Sequence, residues 1–147
     1  MALIDEQIAG QLREELAQLE QPVRLAVAFQ SLADPESEEV RRLVEELCAL
    51  DPKLRYEPVN FVLDKERVAE LGFKRTPAIA VLQEPEGGAA RDFGLRLYGL
   101  PSGYEFGSLI EAILDASHGQ SQLQPATLAA LQALPAPVHL QVFSTPT

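Results

Sequence analysis

The feature that most constrains this chain is a proline placed directly before an apolar run. Pro77 follows a helical segment that ends at Gly72, and residues 78–83 after it have the composition of a buried strand. Proline donates no hydrogen bond to a sheet ladder, so it is expected at the first residue of a strand or in a special turn. A cis peptide bond between Thr76 and Pro77 is one turn that fits. We therefore predict a helix, a cis-proline turn and a buried strand in this order.

Apolar periodicity and turn residues predict eight helices and strands up to residue 117. In chain order they are a helix over 4–19, a strand over 23–29, a helix between Asp34-Pro35-Glu36 and Asp51-Pro52, a strand over 54–61, a helix over 64–71, strands over 78–83 and around 93–97, and a helix from Tyr104 to about Ser117. A β-α-β opening forces parallel pairing, and the hairpin that follows closes the other side antiparallel. We expect an α/β fold with a four-stranded mixed sheet in the order 2-1-3-4, flanked by helices. Pro58 then falls on an outer strand, where its missing N–H is tolerated.

The end of the chain repeats the pattern of its beginning. A polar linker from residue 119 leads to a predicted helix over 125–134, a proline break and an apolar strand over residues 138–143 (Val138 to Phe143). We predict two domains, with 1–118 as one complete unit and 119–147 as the linker, helix and first strand of a second unit. Because an uncovered apolar strand seeks a partner, we expect it to join the first sheet or to form a homodimer.

Four stretches of the sequence match a known family. They are Leu43-Val44-Glu45-Glu46-Leu47, Lys53-Leu54-Arg55-Tyr56-Glu57, Thr76-Pro77-Ala78 and the turn Tyr98-Gly99-Leu100-Pro101-Ser102-Gly103-Tyr104-Glu105-Phe106. The chain resembles the first unit of the glutaredoxin-like protein disulfide oxidoreductases, which contain two tandem thioredoxin folds. It is also similar to the amino-terminal domain of the alkyl hydroperoxide reductase flavoprotein. The resemblance implies a thioredoxin-like fold, and thiol–disulfide exchange as the activity of the intact family protein.

The chain departs from this family at the redox site. Where the family has a reactive Cys-x-x-Cys, this sequence reads Asp34-Pro35-Glu36-Ser37. Thiol–disulfide exchange needs a thiolate nucleophile and a second thiol to resolve the mixed disulfide. Asp34 and Ser37 supply neither, so we predict a degenerate site with no catalytic residue, and we expect no cofactor.

The carboxyl end is the second departure. In the family, the sequence after Phe-x-Thr-Pro-Thr is the active Cys-x-x-Cys of the second unit, and this chain stops at Thr147. We expect a chain truncated just before that motif. An excised fragment, a frameshifted gene and a stop codon at the cysteine position all remain open.

Two further positions have alternative interpretations. Cys48 is either a redox or modification site or a residue of the core. Because it lies on the apolar face of its predicted helix, we expect a buried thiol that packs as a small hydrophobe. The Thr76-Pro77 edge either shapes a turn or presents its backbone to an extended peptide, as the resemblance implies. His118 and His139 are isolated, and no spacing of ligands predicts a metal site.

The formal net charge of −10 limits the classes of partner. An acidic surface repels phosphate backbones and anionic lipids, so we expect neither nucleic acid nor membrane as a partner. A single cysteine excludes an internal disulfide framework and favours a cytoplasmic protein. The preferred function is a non-catalytic module that supports a second thioredoxin-like unit or a protein partner. The alternative is an independent peptide- or protein-binding module.

Overall fold

The computed structural model describes residues 2–30 and 34–144. The helices and strands of these residues, in chain order, are α1 (Glu6–Leu16), β1 (Val23–Phe29), α2 (Pro35–Cys48), β2 (Leu54–Asn60), α3 (Lys65–Glu70), β3 (Ala78–Gln83), β4 (Arg91–Tyr98), α4 (Tyr104–His118) and α5 (Pro125–Gln132). The four strands form one sheet in the order β2-β1-β3-β4. β1 pairs with β2 in parallel and with β3 antiparallel, and β3 pairs with β4 antiparallel. The predicted mixed sheet and its order are confirmed, and Pro58 lies on the edge strand β2.

Side-chain caps fix where the first two helices begin. The carboxylate of Asp5 accepts a hydrogen bond from the Ile8 backbone N–H at 2.8 Å, so α1 starts one residue later, at Glu6. Asp34 caps α2 in the same way, and Pro35 occupies the first helical turn. Both caps satisfy backbone donors that the first helical turn leaves without partners.

The strands separate two apolar clusters, because successive side chains of a strand point to opposite faces of the sheet. On the first face, Leu25 and Val27 of β1 join Val44 of α2 and Ile113 of α4 in the main core. On the second face, Ala26 and its neighbours join residues that surround the short helix α3. This smaller cluster contains Ala26, Ala28, Val59, Leu71, Phe73, Ala78, Ala80 and Leu82.

Ion pairs extend the second face beyond its apolar cluster. Arg24 of β1 lies 3.4 Å from Glu57 of β2 and hydrogen-bonds Glu84 beyond β3. Arg67 of α3 donates to Glu57 at 2.7 Å, and Arg55 lies 3.1 Å from Glu84. The hydrogen bond from Arg67 is the main cause that lowers the pKa of Glu57. The network therefore ties α3 to the edge of the sheet by paired charges.

The strand predicted at the carboxyl end is not formed in the described chain. Residues 138–143 have no strand assignment, and Leu140, Val142 and Phe143 are 85%, 92% and 89% exposed. The helix before them, α5, contains no buried residue. A strand requires a hydrogen-bonded neighbour, and no strand of the described chain lies beside this segment. Within the described residues the segment does not join the four-stranded sheet.

Candidate functional site at the start of helix α2

The sheet brings the predicted site residues to one end of the fold. β1 ends at Phe29 and β3 begins at Ala78, and the antiparallel register places Ala28 opposite Ala78. The chain leaving β1 leads into α2 at Asp34, while Thr76 and Pro77 lead into β3. The degenerate redox positions and the proline turn therefore lie at the same end of the two central strands, where β1 ends and β3 begins.

Asp34 and Ser37 form a hydrogen-bonded pair at the start of α2. Oδ1 of Asp34 accepts the backbone N–H of Ser37 at 3.3 Å, and Oδ2 accepts the Ser37 hydroxyl. The Gln30 backbone N–H lies 3.5 Å from the Ser37 hydroxyl and donates to it. Ser37 is 1% exposed. The two positions that the family fills with sulfur are occupied here by a helix cap and a buried hydroxyl.

Nucleophilic catalysis by Ser37 has no support in this geometry. Its hydroxyl is buried and already donates to Asp34. His118 lies at the end of α4, 4.0 Å from Glu20, which precedes β1. Because the site follows the opposite end of β1, His118 is not placed to act as a base for Ser37.

The proline turn is joined to the start of α2 through the turn after β4. The Thr76–Pro77 bond is cis, Pro77 is buried and Thr76 is half-buried. The carbonyl of Pro77 accepts the Gly99 N–H at 3.0 Å. The neighbouring Leu100 N–H donates to Oε1 of Glu36 at 3.1 Å. Glu36, the third residue of the degenerate motif, thus connects α2 to the Gly99–Leu100 turn.

A cavity of about 300 Å³ lies beside the Asp34–Ser37 pair. Its lining comprises Phe29, Gln30, Asp34, Pro35, Ser37, Glu38 and Arg41. The guanidinium of Arg41 is 4.6 Å from the centre of the Phe29 ring and 3.1 Å from Glu38. It also donates to the Tyr56 hydroxyl at 3.3 Å, a hydrogen bond that raises the pKa of Arg41. The positive charge of Arg41 is therefore engaged by its own neighbours.

Cys48 lies far from this site and is less buried than predicted. It is the last residue of α2, about 20 Å from the cap along a 14-residue helix. Cys48 is half-buried, because it packs against the rim of the main core rather than within it. Burial, together with nearby Glu45, raises the pKa of the Cys48 thiol to about 12. The thiol is therefore protonated at neutral pH and unsuited to exchange chemistry.

Sequence reasoning missed two contacts at this site. Glu36 reads as an ordinary acid in the first turn of a helix, yet it binds a backbone N–H sixty-four residues away, that of Leu100. Arg41 reads as an outer-face cation, yet it stacks on Phe29. The Gly99-Leu100 turn, already part of the family resemblance, is the signal that could have drawn attention to the first contact.

The described residues offer neither a metal-binding cluster nor a membrane-spanning helix. No group of three or more His, Cys, Asp or Glu side chains in residues 2–30 and 34–144 is arranged to hold a metal ion. Among the same residues, no helix has the length and apolar content needed to cross a membrane.

Comparison with known proteins identifies relatives of the chain, although no protein-family model matches it. The alkyl hydroperoxide reductase AhpF of Staphylococcus aureus is 25% identical over 141 residues, and that of Staphylococcus epidermidis is 24% identical over 141 residues. Each alignment covers 96% of this chain and 24% of the relative. The chain thus spans about a quarter of the length of these curated relatives.

Solved structures give the same two groups of relatives. The NTD_N/C domain of alkyl hydroperoxide reductase AhpF from Enterococcus faecalis matches with a TM-score of 0.75 and 25% identity, over 89% of this chain and 61% of that one. A protein disulfide oxidoreductase from Aeropyrum pernix matches with a TM-score of 0.76 and 25% identity, over 91% of this chain and 56% of that one. The resemblance stated from the sequence and the thioredoxin-like fold are therefore confirmed. The homologues are the AhpF amino-terminal domain and a protein disulfide oxidoreductase.

Proposed function

We propose that this chain is a non-catalytic thioredoxin-fold module of a thiol–disulfide exchange system. The names of its relatives, an alkyl hydroperoxide reductase and a protein disulfide oxidoreductase, both denote redox chemistry. In such a system, a domain without exchangeable thiols contributes a folded surface rather than electrons. Its role is to pack against a catalytic thioredoxin-like unit and to present that unit to protein partners.

The Asp34–Ser37 pair is the observation that supports this proposal most directly. Disulfide exchange depends on a thiolate stabilised at the start of a helix, with a second thiol close by. Here a carboxylate caps that helix start, and a hydroxyl that is 1% exposed takes the second position. Cys48, the chain's one thiol, lies at the opposite end of α2. No electron-transfer step can be written through these groups.

We also propose a division of the chain at the end of α4. Residues 1–118 would form the thioredoxin-like unit, and the chain from residue 119 onward would begin a second unit with a linker and a helix. Two features support this boundary. Gly119 ends α4 in the left-handed conformation at φ 67°, and α5 contributes no buried residue to the first unit.

An insulin-reduction assay with dithiothreitol tests the non-catalytic role. We expect the rate of insulin reduction in the presence of the chain to equal the rate with dithiothreitol alone. The Cys48→Ser variant is the matched control, because it removes the chain's thiol at a half-buried position outside the degenerate site. Acceleration by the wild-type chain that disappears in Cys48→Ser would contradict the proposal.

One observation favours the alternative, an independent peptide-binding module. Thr76 is half-exposed, and its backbone groups have no hydrogen-bond partner within the described chain. An extended peptide could pair with this free backbone. Titration with thioredoxin-type substrate peptides, followed by the Thr76 amide resonance, separates the two roles. A saturable shift supports the binding module, and an unchanged resonance supports the architectural one.

A further inference from the structure

Two positively charged side chains lie next to the proline turn without an acidic partner. Lys74 and Arg75 precede Thr76, and both are exposed. The guanidinium of Arg75 is 4.9 Å from the centre of the Tyr98 ring, which holds it against the end of β4. Neither cation forms an ion pair within the described ranges 2–30 and 34–144. Their charges are therefore available to a ligand from outside these residues.

The acids on this face of the sheet are engaged elsewhere. Asp92 accepts a hydrogen bond from Arg96 at 2.9 Å, and Glu57 accepts one from Arg67 at 2.7 Å. Glu36 lies at the turn after β4, where it accepts a backbone N–H. It contributes one negative charge against the two positive charges of residues 74–76, called here the 74–76 segment. The segment therefore keeps a local positive excess in a chain of net charge −10.

The backbone of the 74–76 segment is unpaired and is held at both ends. Phe73 is 6% exposed and donates its N–H to the Val68 carbonyl at 3.0 Å. Pro77 is buried, and its carbonyl accepts the Gly99 N–H at 3.0 Å. Between these anchors, the backbone N–H and C=O groups of the segment have no hydrogen-bond partner in the described chain. A fixed, unpaired backbone is a surface on which an extended peptide can pair.

The 74–76 segment lies at the end of the sheet away from the linker. β3 begins at Ala78, beside the segment, and ends at Gln83. Gly119, which ends α4, lies against Gln83, because a Cβ on this glycine would be 2.6 Å from Nε2 of the glutamine. The chain beyond α4 therefore leaves the unit at the opposite end of β3 from the 74–76 segment.

We propose that the 74–76 segment binds an extended acidic peptide of a protein partner. Thr76 pairs with the peptide backbone, and Lys74 and Arg75 contact its carboxylates. This inference rests on the alternative role proposed above, the peptide-binding module, and specifies what that module binds. The ligand is a peptide rather than a nucleic acid, because phosphates offer no amide backbone to pair with Thr76.

The selectivity for acidic peptides comes from short-range contacts. The many distant acids of the chain also repel such a peptide, but charges more than about 10 Å away are largely screened at 0.1 M salt. Each exposed ion pair with the 74–76 segment strengthens binding by about twofold to fivefold. Two such pairs together give a preference of about tenfold over an uncharged peptide.

Calorimetric titration of the full chain at about 0.1 M salt tests this preference. The probes are three five-residue peptides in which two valines alternate with three glutamates, three glutamines or three lysines. We expect the glutamate peptide to bind about tenfold more tightly than the glutamine peptide, and the lysine peptide to bind most weakly. The Thr76 amide resonance should shift with the same saturation curve, which places the peptide at the segment.

Charge-removing variants identify the contacting residues. Arg75→Gln should weaken binding of the glutamate peptide about threefold, and the double variant Lys74→Gln, Arg75→Gln about tenfold. Neither variant should change binding of the glutamine peptide. Arg91→Gln is the matched control, because it removes one positive charge from an exposed residue at the far end of β4 and should change the affinity less than about twofold. Circular dichroism checks that all variants keep the fold.

The possible failures are distinguishable from one another. Equal binding of the glutamate and glutamine peptides, or an Arg91→Gln effect as large as that of Arg75→Gln, would overturn the proposed selectivity and leave the peptide-binding module standing. Absence of binding by all three peptides would refute both the selectivity and the peptide-binding module. The architectural role would then remain.

Discussion

Replacing Asp34 by alanine tests whether the degenerate motif has become a structural cap. The variant removes two hydrogen bonds, one from the Ser37 backbone N–H and one from the Ser37 hydroxyl. Loss of a helix cap costs about 1 kcal/mol. A buried hydroxyl whose proton loses its acceptor adds about 1–2 kcal/mol. The Ser37 hydroxyl still accepts from Gln30, so only its donor side is left without a partner. We expect the free energy of unfolding to fall by about 2–3 kcal/mol in total.

Urea unfolding monitored by circular dichroism measures this loss, and Asp5→Ala supplies the matched control. Asp5 caps α1 through the Ile8 N–H but has no buried hydroxyl partner, so its loss should cost about 1 kcal/mol. Asp34→Asn keeps a capping oxygen, so its free energy of unfolding should lie between those of the wild type and Asp34→Ala. If Asp34→Ala cost no more than Asp5→Ala, the paired role of Asp34 and Ser37 would be refuted.

Three other perturbations address the electrostatics and packing around the sheet. The pKa of Glu57 is lowered by its hydrogen bond from Arg67, so its stabilising contribution is present above the unfolded pKa of about 4.5 and is lost as pH falls through the lower folded value. Glu57→Gln should therefore cost about 1 kcal/mol at pH 7 in urea unfolding, and this cost should shrink as pH falls below 4.5. A cost that stays the same down to the lowest pH at which the chain is folded would count against the ion pair. Gly119→Ala should destabilise by about 1–2 kcal/mol in thermal unfolding, because φ is +67° and a Cβ would lie 2.6 Å from Nε2 of Gln83; an unchanged Tm would contradict that packing. Cys48, with a pKa of about 12, should react with a disulfide reagent at pH 8 only after urea unfolds the chain, and fast native labelling would disprove its protonated state.

The central strands could be predicted residue by residue because their sequence leaves little freedom. β1 and β3 occupy the ranges expected from their apolar runs, since both strands are covered on both faces. The first and last residues of the helices were harder to predict. α1 ends at Leu16 rather than near residue 19, and it begins at Glu6 because Asp5 caps it. Cap hydrogen bonds decide such ends, and apolar spacing alone does not contain them.

The site could be predicted in part. The positions of Asp34 and Ser37 follow from the chain order, because the chain leaving the first strand must enter the next helix near the start of β3. The Glu36–Leu100 hydrogen bond joins residues far apart in sequence, so no local spacing reveals it. At residues 138–143 the local sequence pattern predicts more than the described structure shows. Its alternation is that of a strand, but strand formation depends on a neighbour that the pattern does not supply.

Reinstating the two thiols is the most direct test of the central claim. The triple variant Asp34→Cys, Ser37→Cys, Cys48→Ser places paired sulfurs at the start of α2, where the native side chains already contact each other. If the chain lacks exchange activity because Asp34 and Ser37 stand where the family has two cysteines, this variant should form an internal disulfide and accelerate insulin reduction. The Cys48→Ser chain should remain inactive. Equal activity of the two chains, or exchange by the unmodified Asp34–Ser37 site, would contradict the account.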